Sequence, residues 1–195
     1  MKLIRFSFLV FLLSMMMIAC GDDSTTDPDG EVDAPNGVVT LITTIDGEEK
    51  ERLTVERKGD VLTPSSYNLS GYYVNANGLF NIMLSGDTDV DNNFSVGLFA
   101  VLSELKAGTY NYTDFDDQNS GGYRNSKFGT DSYSASSITL VITKVQYIAL
   151  SEFGGNYYIT GTLNMELENE YNENPNVNVK LEFENMEIIK GITGF

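Results

Sequence analysis

From Val38 onward, apolar and polar residues alternate with a period of two, the spacing that puts one row of side chains on each face of a β-strand. Tyr157, Ile159, Gly161, Leu163, Met165 and Leu167 form one row, and Tyr158, Thr160, Thr162, Asn164, Glu166 and Glu168 form the other. That alternation predicts a half-buried antiparallel strand. Val177, Val179, Leu181 and Phe183 repeat the pattern before Met186 and Ile188 take over the apolar row. The slip of phase at Glu184-Asn185 predicts a β-bulge. Between these two strands, Asn174-Pro175-Asn176 marks a hairpin loop over residues 169–176.

The same alternation predicts strands at residues 38–45, 52–57, 69–74, 79–85, 94–102, 108–112 and 137–146. Asp46-Gly47, Asn77-Gly78, residues 86–93 and Gly154-Gly155-Asn156 read as the turns between them. One helical turn is expected at residues 103–106, and no stretch sustains a 3.6-residue repeat. About nine short strands at hairpin-like spacing predict an all-β antiparallel β-sandwich, with a closed, lipocalin-like β-barrel as the alternative.

Ahead of the strands the pattern changes twice. Lys2 and Arg5 precede an apolar run from Phe6 to Ile18. At about 13 residues it is too short to cross a bilayer as a helix and reads as the core of a signal peptide. Met17-Ile18-Ala19-Cys20 resembles the lipobox of bacterial lipoproteins, with Met in place of the usual Leu. The resemblance implies cleavage before Cys20 and fatty acylation of that residue, the only cysteine in the chain. Two or more acyl chains anchor a protein stably, since each buried CH₂ contributes about 0.8 kcal/mol. Residues 20–37, beginning Cys20-Gly21-Asp22-Asp23-Ser24, are rich in Asp, Pro and Gly and read as a disordered, extended spacer. The expected organisation is therefore a leader at residues 1–19, a lipidated linker at 20–37 and one β-domain at 38–195. A domain of that length buries some 70% of its unfolded surface and needs no disulfide.

Charge narrows the function. Removing Lys2 and Arg5 with the leader leaves ten basic side chains against 28 acidic ones, a formal charge near −18. Nucleic acid is not an expected partner, because phosphate backbones reward clustered Lys and Arg. Expected membrane contact runs through the N-terminal lipid, since this charge repels anionic headgroups. With no histidine and its sole cysteine acylated, the chain lacks Cys/His zinc ligands and every Ser-His or Cys-His nucleophile pair.

Two acidic segments carry the remaining candidate chemistry. Asp87, Asp89 and Asp91 alternate in a loop as at the start of calcium loops. Asn92 stands where such a loop needs Gly and Leu98 where it needs a closing Glu, so this is no EF-hand. The readings are a Ca²⁺ site or a solvated hairpin tip. The tract from Asn111 to Ser136 is long and polar, with Tyr112, Asp114, Phe115, Asp116, Tyr123, Phe128 and Tyr133 spaced along it. Carboxylates can hydrogen-bond sugar hydroxyls and rings can stack on sugars, which makes this tract a candidate ligand-binding loop. The same aromatics alternatively fold back as a lid on the core. No cofactor other than Ca²⁺ is expected.

Gly108-Thr109-Tyr110, Ser137 to Lys144, Tyr158-Ile159-Thr160-Gly161-Thr162-Leu163 and the closing strand together resemble a group of Bacteroidetes-type outer-membrane and surface lipoproteins. That group shares a GTY turn, an ITK strand and an I-x-G-T/S strand. The resemblance implies a β-sandwich and an outer-membrane location and transfers no active-site residue. Gly21-Asp22-Asp23-Ser24 resembles the acidic tracts of lipoproteins exported to the cell surface and reads alternatively as a solvated spacer. The expectation is a lipid-anchored envelope protein acting as a non-catalytic binding or structural module, with a glycan or an envelope protein as partner. The alternatives are a glycan-binding surface accessory protein, a lipocalin-like carrier and a small carboxylate-dependent hydrolase.

Overall fold

The computed structural model describes residues 34–59, 61–89, 92–113, 115, 119–128, 132–151, 154–168 and 177–191. Cys20, the linker before Ala34 and the loop at 169–176 lie outside the described residues. The described residues all fall in one unit, Ala34–Phe195. Its strands are β1 (Gly37–Ile45), β2 (Glu48–Lys58), β3 (Val61–Thr63), β4 (Tyr67–Val74), β5 (Leu79–Asp89), β6 (Asn92–Val101), β7 (Gly108–Tyr112), β8 (Ser120–Asn125), β9 (Ser132–Ser151), β10 (Gly154–Glu168) and β11 (Val177–Gly191).

The expected antiparallel sandwich of about nine strands is not what forms. β10, β9, β8, β6, β5, β4 and β11 follow one another in hydrogen-bonded order, and β11 pairs back onto β10. The result is a closed seven-strand mixed barrel with β1, β2, β3 and β7 outside it. Two long strands cause the closure. The first residues of β9 pair with β8 over Ser132–Ser134, and its middle pairs with β7. β11 pairs with β1 as far as Glu184 and then passes to β4 at Ile189–Gly191, the one parallel pairing in the barrel. A strand that changes neighbour partway joins two sheets that would otherwise only face each other.

Bulges let these strands turn. Between the pairs Ile159↔Met186 and Gly161↔Phe183, β11 carries one residue more than β10, and Asn185 adopts φ 48° there. This is the bulge expected from the slip of phase. The inward row of β11 accordingly changes from Val177, Val179, Leu181 and Phe183 to Met186 and Ile188, all buried. The barrel interior is filled: Phe80, Ile82, Leu84, Phe94, Leu98, Leu140, Leu163 and Leu181 belong to one buried cluster. Val39, Leu41 and Val55 of β1 and β2 extend that cluster beyond the barrel wall.

The turns follow local chemistry. Asp46 (φ 50°) and Gly47 (φ 82°) close β1 onto β2, the left-handed pair that a two-residue hairpin requires. Gly78 (φ 72°) leads into β5, and its N–H donates to Val74 O at 2.9 Å. Residues 103–106 form an irregular connection in place of the expected helical turn, with Leu105 buried. Two strands were not expected, β3 and β8.

Candidate functional site

β8 organises an open groove on the outer face of the barrel. Its residues alternate Tyr123 and Asn125 inward with Gly122 and Arg124 outward. On the outer side, Gly122 stands opposite Gly97 of β6 and Ser134 of β9, while Arg124 stands opposite Ser95. Two facing glycines leave the sheet without side chains at its middle. A groove of about 460 Å³ results, lined by Ser95, Gly97, Gly122, Arg124 and Ser134 and by the backbone of Tyr123 and Tyr133, whose rings are buried. Among the described residues no carboxylate lies within ion-pair distance of Arg124. The groove thus offers a planar five-donor cation beside two hydroxyls, a set suited to carboxylate and hydroxyl groups.

The inward side of β8 holds that surface in place. The Tyr123 hydroxyl lies 3.1 Å from Thr43 Oγ1 and accepts from Asn125 Nδ2 at 2.8 Å. Asn125 Nδ2 also donates to Glu51 Oε2 at 2.7 Å, and Asn125 Oδ1 accepts from the Lys127 N–H at 3.0 Å. Lys127 Nζ approaches the other Glu51 oxygen at 3.5 Å. Burial pushes the Tyr123 hydroxyl up to about 12. The Thr43 and Asn125 hydrogen bonds pull it down, and the Glu51 charge adds to the rise. A buried polar group costs free energy unless satisfied, and here every member has a partner. The cluster ties β8 to β1 and β2.

A second network sits at the start of β1. Glu187 of β11 pairs with Arg57 Nη1 and accepts from Asn156 Nδ2 at 2.8 Å and Tyr158 OH at 3.1 Å. Arg57 stacks 5.3 Å above the Tyr158 ring, and its Nη2 donates to Pro35 O at 3.4 Å. Asn185 Nδ2 donates to Asn36 O at 3.3 Å. Both contacts fix the chain where it enters the fold.

The residues singled out from the sequence are dispersed. Asp87 is exposed at the end of β5 opposite Asn93, and its carbonyl accepts from Ser66 Oγ at 3.4 Å. The backbone of Asp89 continues β5, so the expected loop at 86–93 is mostly hairpin strand. Asp91, Asp114 and Asp116 lie outside the described residues. No group of three metal-ligating side chains occurs among the described residues. Tyr112 and Phe115 pack half-buried against the core, and burial raises the Tyr112 hydroxyl to about 12. Phe128, in a 3-10 turn after β8, lies under Lys127 Nζ at 5.6 Å. Tyr123 is only 2% exposed, so its ring presents no face for stacking.

Sequence reading missed the groove. Gly121-Gly122 resembles loop composition, and its role depends on Gly97, which the chain brings alongside only through sheet pairing. No protein family, curated protein or solved structure matches the chain.

Proposed function

We propose that this protein is a lipid-anchored, non-catalytic binding module of the bacterial outer envelope, held by an acylated Cys20 and engaging its ligand in the groove beside Arg124. The groove carries this reading: an open, polar, cationic recess on the outside of a filled barrel. The resemblance of residues 17–20 to a lipobox supports the anchor. The packed interior counts against a lipocalin-like carrier, which needs an empty lumen. The engaged carboxylates count against a hydrolase, because buried Glu51 is held by Asn125 and Lys127, and half-buried Glu187 by Arg57, Asn156 and Tyr158.

Arg124, Ser95 and Ser134 favour a hydroxyl-rich ligand with an acidic group, such as an acidic glycan. The test is a glycan array probed with the acylated full-length protein in detergent, beside its Arg124→Ala variant. Binding to uronic-acid glycans that falls tenfold or more in the variant is the expected result. An array without signal, or signal unchanged in the variant, overturns the groove reading. An unacylated Cys20 in the mass spectrum of the membrane-extracted protein overturns the anchor.

A further inference from the structure

The exposed apolar side chains are unevenly placed. Among the described residues the large ones are Val38, Val61, Met83, Tyr147 and Ile189. All but Met83 lie in one half of the barrel, where β1 and β3 begin, β2 and β11 end, and the β9–β10 hairpin projects. Tyr147 and Ile189 are 45% and 54% exposed. Lys190 Nζ sits 5.2 Å over the Tyr147 ring, and Tyr157 backs that ring at 5.2 Å between centroids. Tyr73 in turn meets Tyr157 edge to face at 6.3 Å. A rim of tyrosine, isoleucine and lysine has the composition of side chains that settle at a membrane–water boundary: amphipathic rings at headgroup level, with a cation reaching phosphate.

The chain enters the fold from the same half. β1 runs away from the rim, so Pro35 and Asn36, fixed by Arg57 and Asn185, precede it on the rim side. Thirteen residues separate Cys20 from Ala34. If it is the spacer expected from its composition, a segment of that length spans roughly 20 Å. The opposite end, at the Asp46-Gly47 turn, lies eight or nine residues down β1, about 30 Å farther at strand rise. A membrane attached through Cys20 therefore meets the rim first.

Charge acts in the same direction. Among the described residues the far end exposes Asp46, Glu48, Glu49, Asp87, Glu166 and Glu168, of which Glu48 and Glu49 pair with Lys50 and Arg52. Its other cations are Lys127, paired with Glu51, and Arg124, so acidic charge prevails there. In the rim half, Lys106 pairs with Glu104, Lys58 with Glu56 and Arg57 with Glu187, while Glu184 is exposed. Lys144 and Lys190 make no ion pair among the described residues. Anionic headgroups repel the far end and tolerate the rim.

We propose that this rim is a membrane-docking surface: in the acylated protein, Tyr147, Ile189 and Lys190 rest on lipid headgroups and turn the acidic end outward. The proposal rests on the lipid-anchor reading above. Cys20 is the only cysteine, so once it is acylated a single introduced cysteine is the only thiol available for a fluorophore. The test places a bimane label at Ile189→Cys or at Glu168→Cys in the acylated full-length protein. Each is reconstituted in phosphatidylethanolamine/phosphatidylglycerol vesicles containing headgroup-labelled nitroxide lipid.

The expected result is quenching at position 189 at least threefold stronger than at 168, with the difference halved or lost when Tyr147→Ser and Lys190→Glu are added. Equal quenching, stronger quenching at 168, or a difference that survives both substitutions overturns the proposal and leaves the anchor standing. Mass spectrometry of the same samples separates the two ideas, since an unacylated Cys20 removes both.

Discussion

Tyr123 belongs by sequence to a polar tract with ring-stacking character, yet the fold uses its hydroxyl to fasten β8 to β1. Side-chain alternation within β8 decides this: Gly122 and Arg124 take the outer face, so the ring must enter the core. A consequence is testable through pH. The hydroxyl ionises near 10 in the unfolded chain and near 12 in the folded one, so folding disfavours its charged form. The associated stability is complete below pH 10 and is lost as pH rises toward 12, up to about 2 kcal/mol if Tyr123 acted alone. Urea unfolding at pH 9 and pH 11 should show lower stability at the higher value. Tyr123→Phe should be less stable at pH 9 and show a shallower fall. An equal fall in both proteins would assign the effect to other tyrosines, such as Tyr112.

Among the elements, Gly161 of β10 is a pivot. The register of β10 against β9 slips between Thr160 and Gly161, and its register against β11 slips between Ile159 and Gly161. Both neighbouring strands therefore bulge beside one glycine, where a Cβ would lie 2.0 Å from Val141 O. No side chain fits without moving backbone, so Gly161→Ala should cost about 3 kcal/mol or more, read as a lower urea midpoint. A loss under 1 kcal/mol would mean that the bulges adjust freely. The bulge in β11 was legible because it shifts the apolar row from odd to even positions at Asn185. All nine expected strands form, since each carries a run of alternating residues long enough to register. β3 has only three residues, and β8 hides its alternation behind Gly121-Gly122, so neither produced such a run.

For the whole molecule, closure is the property that alternation cannot encode. A sandwich and a barrel bury the same rows, and the difference here lies in two seams: β8 with β9 over three residue pairs, and β11 with β4 over three. The second is parallel and joins residues far apart in sequence, Tyr72 with Ile189, while the first is a local pairing of β8, a strand whose alternation the sequence hides. The groove was unreadable for the same reason, since Gly97, Gly122 and Ser134 become neighbours only once β6, β8 and β9 pair. Short seams at the edges of long ladders should also be the least stable parts of the wall, because few backbone hydrogen bonds must break to open them. β9 and β10, by contrast, share a ladder from Ser134 to Ser151. Hydrogen exchange followed by mass spectrometry should find the amides of Ile189–Gly191 and Ser132–Ser134 exchanging first among strand residues. Leu140, Leu163 and Leu181, at the centre of the β9–β10–β11 sheet, should exchange last, by a factor of a hundred or more. If the seams are protected as strongly as that centre, the barrel opens only by unfolding as a whole; if they exchange first, it opens there as two sheets.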